Sequence, residues 1–334
     1  MKKKKLLLIG KIPPPIGGVS IHLSRLIASM EKHLDVEVWD YSKETNIPKI
    51  VSKIIKARVV HIHLTKKLYR LFAVIFFKLL LKKVIITFHG KYTFDVFSDR
   101  YSLRFCDSAI LLNKFSYERA NEIQKKNNHL IGSFIPPVRK FIKPLPADYD
   151  SRILTLKTEY KKLFAVNASS YVLDPNGKEV YMGSQLIAFF SRNSDIALVF
   201  SDPSNSYKRF FESSNTVIPP NVLFISESHD FINVIQKADG IIRATTMDGD
   251  SLTVKEALYY NKPVFATDVV DRPTGTITFR DFDQLENLID SNLQKTNIPV
   301  TNSLNDIIQV YQSMLKNNSG VNNRKSKEVN TKLR

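Results

Sequence analysis

Cysteine is almost absent. Cys106 stands alone among 334 residues, which excludes a disulfide framework and a cysteine-rich metal site and fits a reducing compartment. Long apolar runs are missing as well. The longest, Leu71 to Phe77, falls far short of the roughly 20 residues that span a bilayer. A secretory signal core is not evident either, because the Met1–Lys5 charges precede only Leu6–Ile9 before Gly10 and three prolines. With 43% of its residues hydrophobic, the chain can bury a substantial core, so wholesale disorder is excluded. A soluble, cytoplasmic protein is expected.

Acidic residues are scarce in the first half. Residues 1–150 hold 28 Lys and Arg against 12 Asp and Glu, whereas residues 151–334 hold 21 against 20. The basic half should face something anionic: phosphorylated ligands, nucleic acid or an anionic membrane surface. No recognised nucleic-acid module is apparent, so nucleic acid is not expected as a partner.

What is present is a doubled alternation of short apolar strands with helical stretches. Strands are expected at Leu6–Ile9, Val36–Trp39, Val59–His63, Val84–Phe88, Ala109–Leu112 and Leu130–Phe134, with helices near 19–32, 68–81 and 116–125. The alternation stops at Pro136, Pro137, Pro144 and Pro146, then resumes. Strands follow at Phe164–Asn167, Ala197–Phe200, Val222–Ile225, Gly240–Arg243 and Val264–Thr267, with helices near 181–191, 231–237, 251–260, from 283, and 306–315. The expected fold class is α/β, with two Rossmann-like domains, 1–145 and 146–316, facing a central cleft. A basic flexible tail follows at 317–334. Ligands of such sheets bind beyond the carboxyl ends of the strands, in the cleft.

Three segments carry the candidate chemistry. Gly17-Gly18, between the first strand and first helix, would let the backbone approach an anion, although the pair equally suits a tight turn without a ligand. His89 follows the strand 84–88 at its carboxyl end, where it could bond a sugar hydroxyl or assist leaving-group protonation. The third runs from Arg243 through Asp248-Gly249-Asp250-Ser251-Leu252-Thr253 to Glu256. Its helix start offers the amides of Ser251, Leu252 and Thr253 to a diphosphate, and its carboxylates suit sugar and ribose hydroxyls. The plainer reading is that Asp250 or Ser251 caps the helix and Glu256 is solvated. Asp248 and Asp250 also match a short metal motif, as do Asp148/Asp150 and Asp281/Asp283. The strand-to-helix position argues against metal.

On Pro15-Ile16-Gly17-Gly18-Val19-Ser20, Thr87-Phe88-His89-Gly90, Cys106-Asp107-Ser108, Ile135-Pro136-Pro137 and the Asp248–Asp268 segment, the chain resembles family 4 glycosyltransferases of the GT-B fold. The resemblance implies a retaining glycosyltransferase that uses a nucleoside diphosphate sugar and neither a cofactor nor an essential metal. The acceptor would be a glycan or lipid-linked molecule of cell-surface polysaccharide synthesis. The resemblance also implies His89, Asp248 and Glu256 as catalytic residues. Gly17, Gly18, Arg243, Gly249, Ser251, Leu252, Thr253 and Glu256 would bind the donor. This sequence departs from the family in having Asp248 where a glutamate is usual. The usual Arg and Lys pair after the first strand of the second domain is not evident, and Lys178 or Arg243 is the candidate replacement. The missing pair favours one alternative, a binding or scaffold subunit without turnover. A second, a sugar-nucleotide epimerase of like build, is disfavoured by the Asp248–Glu256 segment. Separately, Lys66, Lys67, Arg70, Lys78, Lys82 and Lys83 around the apolar residues of the helix 68–83 suit docking of the first domain, as a peripheral membrane protein, on the anionic inner membrane face. They equally suit a buried helix flanked by solvated lysines.

Overall fold

The computed structural model describes residues 5–14, 16–30, 33–125, 127–291 and 298–316. The tail at 317–334 lies outside the described residues. The first half runs β1 (Lys5–Gly10), α1 (Gly18–Met30), β2 (Val36–Asp40), α2 (Ile47–Lys56), β3 (Ala57–Ile62), α3 (Lys67–Leu79), β4 (Lys83–Phe88), α4 (Phe97–Phe105), β5 (Ser108–Leu111), α5 (Lys114–Ile123) and β6 (Asn128–Leu130). The second runs α6 (Ala147–Glu159), β7 (Lys162–Asn167), α7 (Gly183–Arg192), β8 (Ile196–Ser201), α8 (Ser206–Ser213), β9 (Val222–Ile225), α9 (Phe231–Lys237), β10 (Gly240–Arg243), α10 (Leu252–Tyr259), β11 (Val264–Thr267), β12 (Thr276–Phe279), α11 (Phe282–Ser291) and α12 (Leu304–Lys316).

Each half closes one six-stranded parallel sheet, in the orders β2-β1-β3-β4-β5-β6 and β12-β11-β10-β7-β8-β9. Helices cover both faces, so the strands are continuous apolar runs rather than alternating ones. The period of two is visible in the packing. Leu6 and Leu8 enter one core layer of the first sheet while Leu7 and Ile9 enter the other. Leu163 and Ala165 divide from Phe164 and Val166 in the same way across the second sheet. The result is two Rossmann-like domains, with the carboxyl ends of β1, β4 and β10 turned to the cleft between them.

Three details differ from the sequence reading. The helix at 304–316, assigned by sequence to the second domain, returns to the first. Ile307, Ile308, Val310, Tyr311, Met314 and Leu315 pack with Leu6, Leu8, Val59 and Ile85, and the hydroxyl of Tyr311 meets Nδ1 of His61 at 2.6 Å. The segment read as a strand over 130–134 pairs only at 128–130. Beyond it, Ser133 N–H donates to Asp250 of the second domain at 2.6 Å, so this backbone serves the interdomain contact instead of the sheet. Finally, α2, α4, α6, α8 and the edge strand β12 were not expected.

Candidate active site

A cavity of about 260 Å³ lies between the domains. Gly17, Gly18, Arg25 and His89 line it from the first domain, and Arg243, residues 248–253 and Glu256 from the second. Every donor-site residue expected from sequence therefore meets at one place.

The second-domain wall is built at the start of α10. Ser251 is its N-cap, and its hydroxyl accepts from Val254 N–H at 3.4 Å. The plain capping role expected for this serine is thus present. It leaves the first amides of the helix as outward donors with the positive end of the helix behind them, a setting that favours an anion. Glu256 falls on the second turn, as expected, but it is not solvated. It is buried and ion-paired with Arg25 of α1, across the cleft. Burial pushes its carboxyl pKa up, against the pull of Arg25.

Asp248 is held between two arginines. Arg243 Nε and Nη2 donate to it at 3.1 and 3.2 Å, and Arg272 Nη1 donates at 2.8 Å. The balance against burial leaves its carboxyl at about 2. One carboxylate against two guanidiniums leaves a local excess of positive charge. Arg243 lines the cavity and lies 5.1 Å over the Tyr181 ring, whereas Arg272 sits behind Asp248, almost wholly buried. Of the two candidate replacements for the family's basic pair, Arg243 is at the cavity. Lys178 is exposed and does not line it. Asp250 is bound by Lys255 at 2.5 Å and by Ser133 N–H at 2.6 Å. Cations and an amide thus occupy both carboxylates of the short acidic motif, and among the described residues no group of three or more His, Cys, Asp or Glu is placed to hold a metal ion.

Glycine serves two purposes here. A Cβ on Gly17 or Gly18 would meet nothing within 4 Å, so both face open space at the cavity. Gly249 instead allows close approach, because a Cβ there would lie 3.0 Å from Gly90 Cα.

His89 sits in a histidine cluster. Its Nε2 is 2.9 Å from Nδ1 of His63, and the rings of His22, His63 and His89 lie 5.2 to 5.7 Å apart. Burial lowers the pKa of all three and of His61, the last to about 3. They are therefore neutral at pH 7, able to hydrogen-bond without bringing charge. Behind the Gly17-Gly18 loop a second cavity of about 570 Å³ is lined by Trp39, Tyr41, His63 and Tyr69. Nε2 of His63 is buried without a hydrogen-bond partner among the described residues.

Arg25, Arg272, Ser133, Lys255 and His63 were not singled out by sequence. Arg272 could have been, because it follows β11 at the carboxyl end of a strand, the same position that marked His89. Arg25 and Ser133 act across the cleft, and no local pattern marks such contacts.

Comparison with protein-family models and with curated protein sequences gives no match. Solved structures do match. The Anabaena protein HepE in complex with UDP-glucose aligns with TM-score 0.63 over 93% of this chain and 98% of that one, at 14% identity. A lipopolysaccharide outer core galactosyltransferase, WaaB, aligns with TM-score 0.58 over 93% and 99%, also at 14% identity. A putative UDP-N-acetylglucosamine 2-epimerase from Listeria monocytogenes aligns with TM-score 0.64 over 95% and 98%, at 14% identity.

The fold is GT-B. In this GT-B chain the loop after β1, the start of α10 and the interdomain cavity lie together, and at such identity the likeness establishes architecture alone.

Proposed function

We propose that this chain transfers a glycosyl unit from a nucleoside diphosphate sugar to an acceptor bound beside the first domain. In this reading configuration is retained, as the family 4 resemblance implies, and no metal is essential. The observation that carries the reading is the anion-favouring wall at the start of α10, where helix-start amides adjoin the Arg243–Asp248–Arg272 cluster in the interdomain cavity. Neighbouring folds solved with UDP-glucose support it.

The physical logic is leaving-group stabilisation. Breaking the anomeric bond places negative charge on the diphosphate and positive character on the sugar. Preorganised amides and the excess arginine charge stabilise the first without a metal. Asp248, locked by its arginines, acts mainly by fixing Arg243. Neutral His89 offers a hydrogen bond to a sugar hydroxyl. Glu256 reaches a ribose hydroxyl once Arg25 yields or shares it. The second cavity receives the acceptor. Acceptors built into cell-surface polysaccharides, free or lipid-linked, are the class this reading implies.

The test is incubation with UDP-, GDP- and ADP-sugars, with a bacterial lipid-linked oligosaccharide extract as acceptor and EDTA present. Acceptor-dependent release of the nucleoside diphosphate, with the product anomer matching the donor, is expected. Epimerised donor formed without acceptor, or turnover only with Mn²⁺, would overturn the reading. Donor binding without any turnover would favour the inactive scaffold instead.

A further inference from the structure

The helical layer of the first domain opposite α1 and α12 is apolar on the wrong side. Helix α3 buries Leu71, Val74 and Phe77 against the sheet, as an amphipathic helix should. Its outer face should then be polar. Instead Leu68, Phe72, Phe76 and Leu79 project outward, Leu79 at 77% exposure. They recur at intervals of three and four residues, one continuous stripe. Helix α2, on the same side of the sheet, repeats the anomaly with Ile47 and Ile55, both 70% exposed, flanking Val51. The two helices are tied at their ends, where Lys82 Nζ donates to the carbonyls of Ile55 and Ala57 at 3.1 and 2.7 Å. Just past the end of α3 stands Leu81, 92% exposed and at φ 55°. That left-handed position after a helix is usually glycine, so a bare leucine there is both strained and unburied.

Charge decides what covers this face. Residues 47–83 contain ten Lys and Arg and not one Asp or Glu. The carboxylates that pair with this stretch come from outside it. Glu44 takes Lys49 and Lys53, Asp99 takes Lys67 and the buried Arg70, and Asp107 takes Lys78. Ten cations with no acidic residue among them leave the stretch positive. Lys66 stands over the exposed Tyr69 ring at 5.4 Å.

We propose that the α2–α3 face docks on an anionic lipid bilayer, with the outward leucine, isoleucine and phenylalanine side chains entering the boundary of the acyl region and the lysines meeting headgroup phosphates. No helix among the described residues is long and apolar enough to cross a membrane, so the contact is interfacial. Tyr69 also lines the second cavity. Docking therefore sets that cavity's rim at the bilayer, where a lipid-linked acceptor would be reached. This consequence rests on the transfer reading, but docking itself does not.

Co-sedimentation of the full chain with vesicles separates the outcomes. Phosphatidylglycerol–phosphatidylcholine vesicles should carry the protein down at low salt, and pure phosphatidylcholine should carry at least tenfold less. Raising salt to about 0.5 M should release most of it, since screening shortens the reach of the lysines. The triple variant Phe72→Ser, Phe76→Ser, Leu79→Ser changes only exposed side chains. It should keep its melting temperature and its binding of nucleoside diphosphate sugars while losing vesicle binding roughly tenfold. No sedimentation with anionic vesicles at low salt would overturn the proposal, as would equal binding by the variant. So would a dimer in lipid-free sedimentation that the variant dissolves, because the face would then join two copies of this chain. Failure of donor binding with vesicle binding intact would count against the transfer reading alone.

Discussion

Arg25 and Glu256 form the contact on which the cleft most depends, and it carries a prediction that sequence alone would get wrong. Were Glu256 a solvated ribose ligand, Glu256→Ala would cost only donor binding. Because it neutralises a nearly buried guanidinium from the other domain, the alanine variant leaves that charge unpaired. We expect a loss of about 3–5 kcal/mol in chemical denaturation. Arg25→Met with Glu256→Leu should recover most of that stability and still fail to bind donor, whereas additive losses in the double variant would refute the coupling. The histidine cluster makes a second residue-scale prediction. Below about 6.5 the unfolded chain binds a proton on the His61 imidazole, whereas in the folded chain burial holds that group at about 3 and it stays neutral. Burial acts in the same direction on His22, His63 and His89. Stability is therefore whole above that pH and declines as pH falls toward 3, by about 1.4 kcal/mol per unit for His61 alone. The melting temperature should drop steeply from pH 7 to 5, and His61→Gln should flatten the slope. A flat wild-type profile over that range would contradict the burial argument.

At the scale of elements, strands were legible and several connections were not. Runs such as Leu6–Ile9, Val222–Ile225 and Val264–Thr267 declare themselves because both faces are covered, so burial and composition coincide. The polar helix at 206–213 and the four-residue edge strand at 276–279 lack that signal. The start of α10 was readable from its loop-to-helix chemistry, and Ser251, Thr253 and Glu256 all stand at the cavity as read. What could not be read was partnership over distance: Arg25 to Glu256, Ser133 to Asp250, and the return of α12. The periodicity of α12 identified a helix but carried no address. Its docking predicts that Tyr311→Ala, which removes a fully buried ring bonded to His61, destabilises the first domain by about 3–5 kcal/mol. If the helix belonged to the second domain, the loss would appear there in hydrogen exchange instead of in β1 and β3.

Across the whole molecule, the two domains face each other over the cavity where chemistry is proposed. The Arg25–Glu256 ion pair from α1 and the Ser133 N–H bond from the segment after β6 hold the second domain around the start of α10. Under the docking proposal, the uneven placement of the net charge of +17 follows from one flank of the first domain meeting an anionic surface. Gly17 and Gly18, where a Cβ would meet nothing within 4 Å, are the natural place for a bulky block. The central claim is that the start of α10, with Arg243, binds the diphosphate of a nucleotide sugar without metal. The direct measurement is isothermal titration of UDP-, GDP- and ADP-sugars into the protein in EDTA, alongside Arg243→Ala and Gly18→Trp. Saturable binding of at least one donor, weakened at least tenfold by Arg243→Ala and abolished by Gly18→Trp with melting temperature retained, is the predicted result. No heat of binding with any donor, or binding that appears only when Mn²⁺ is supplied and survives both substitutions, would contradict it.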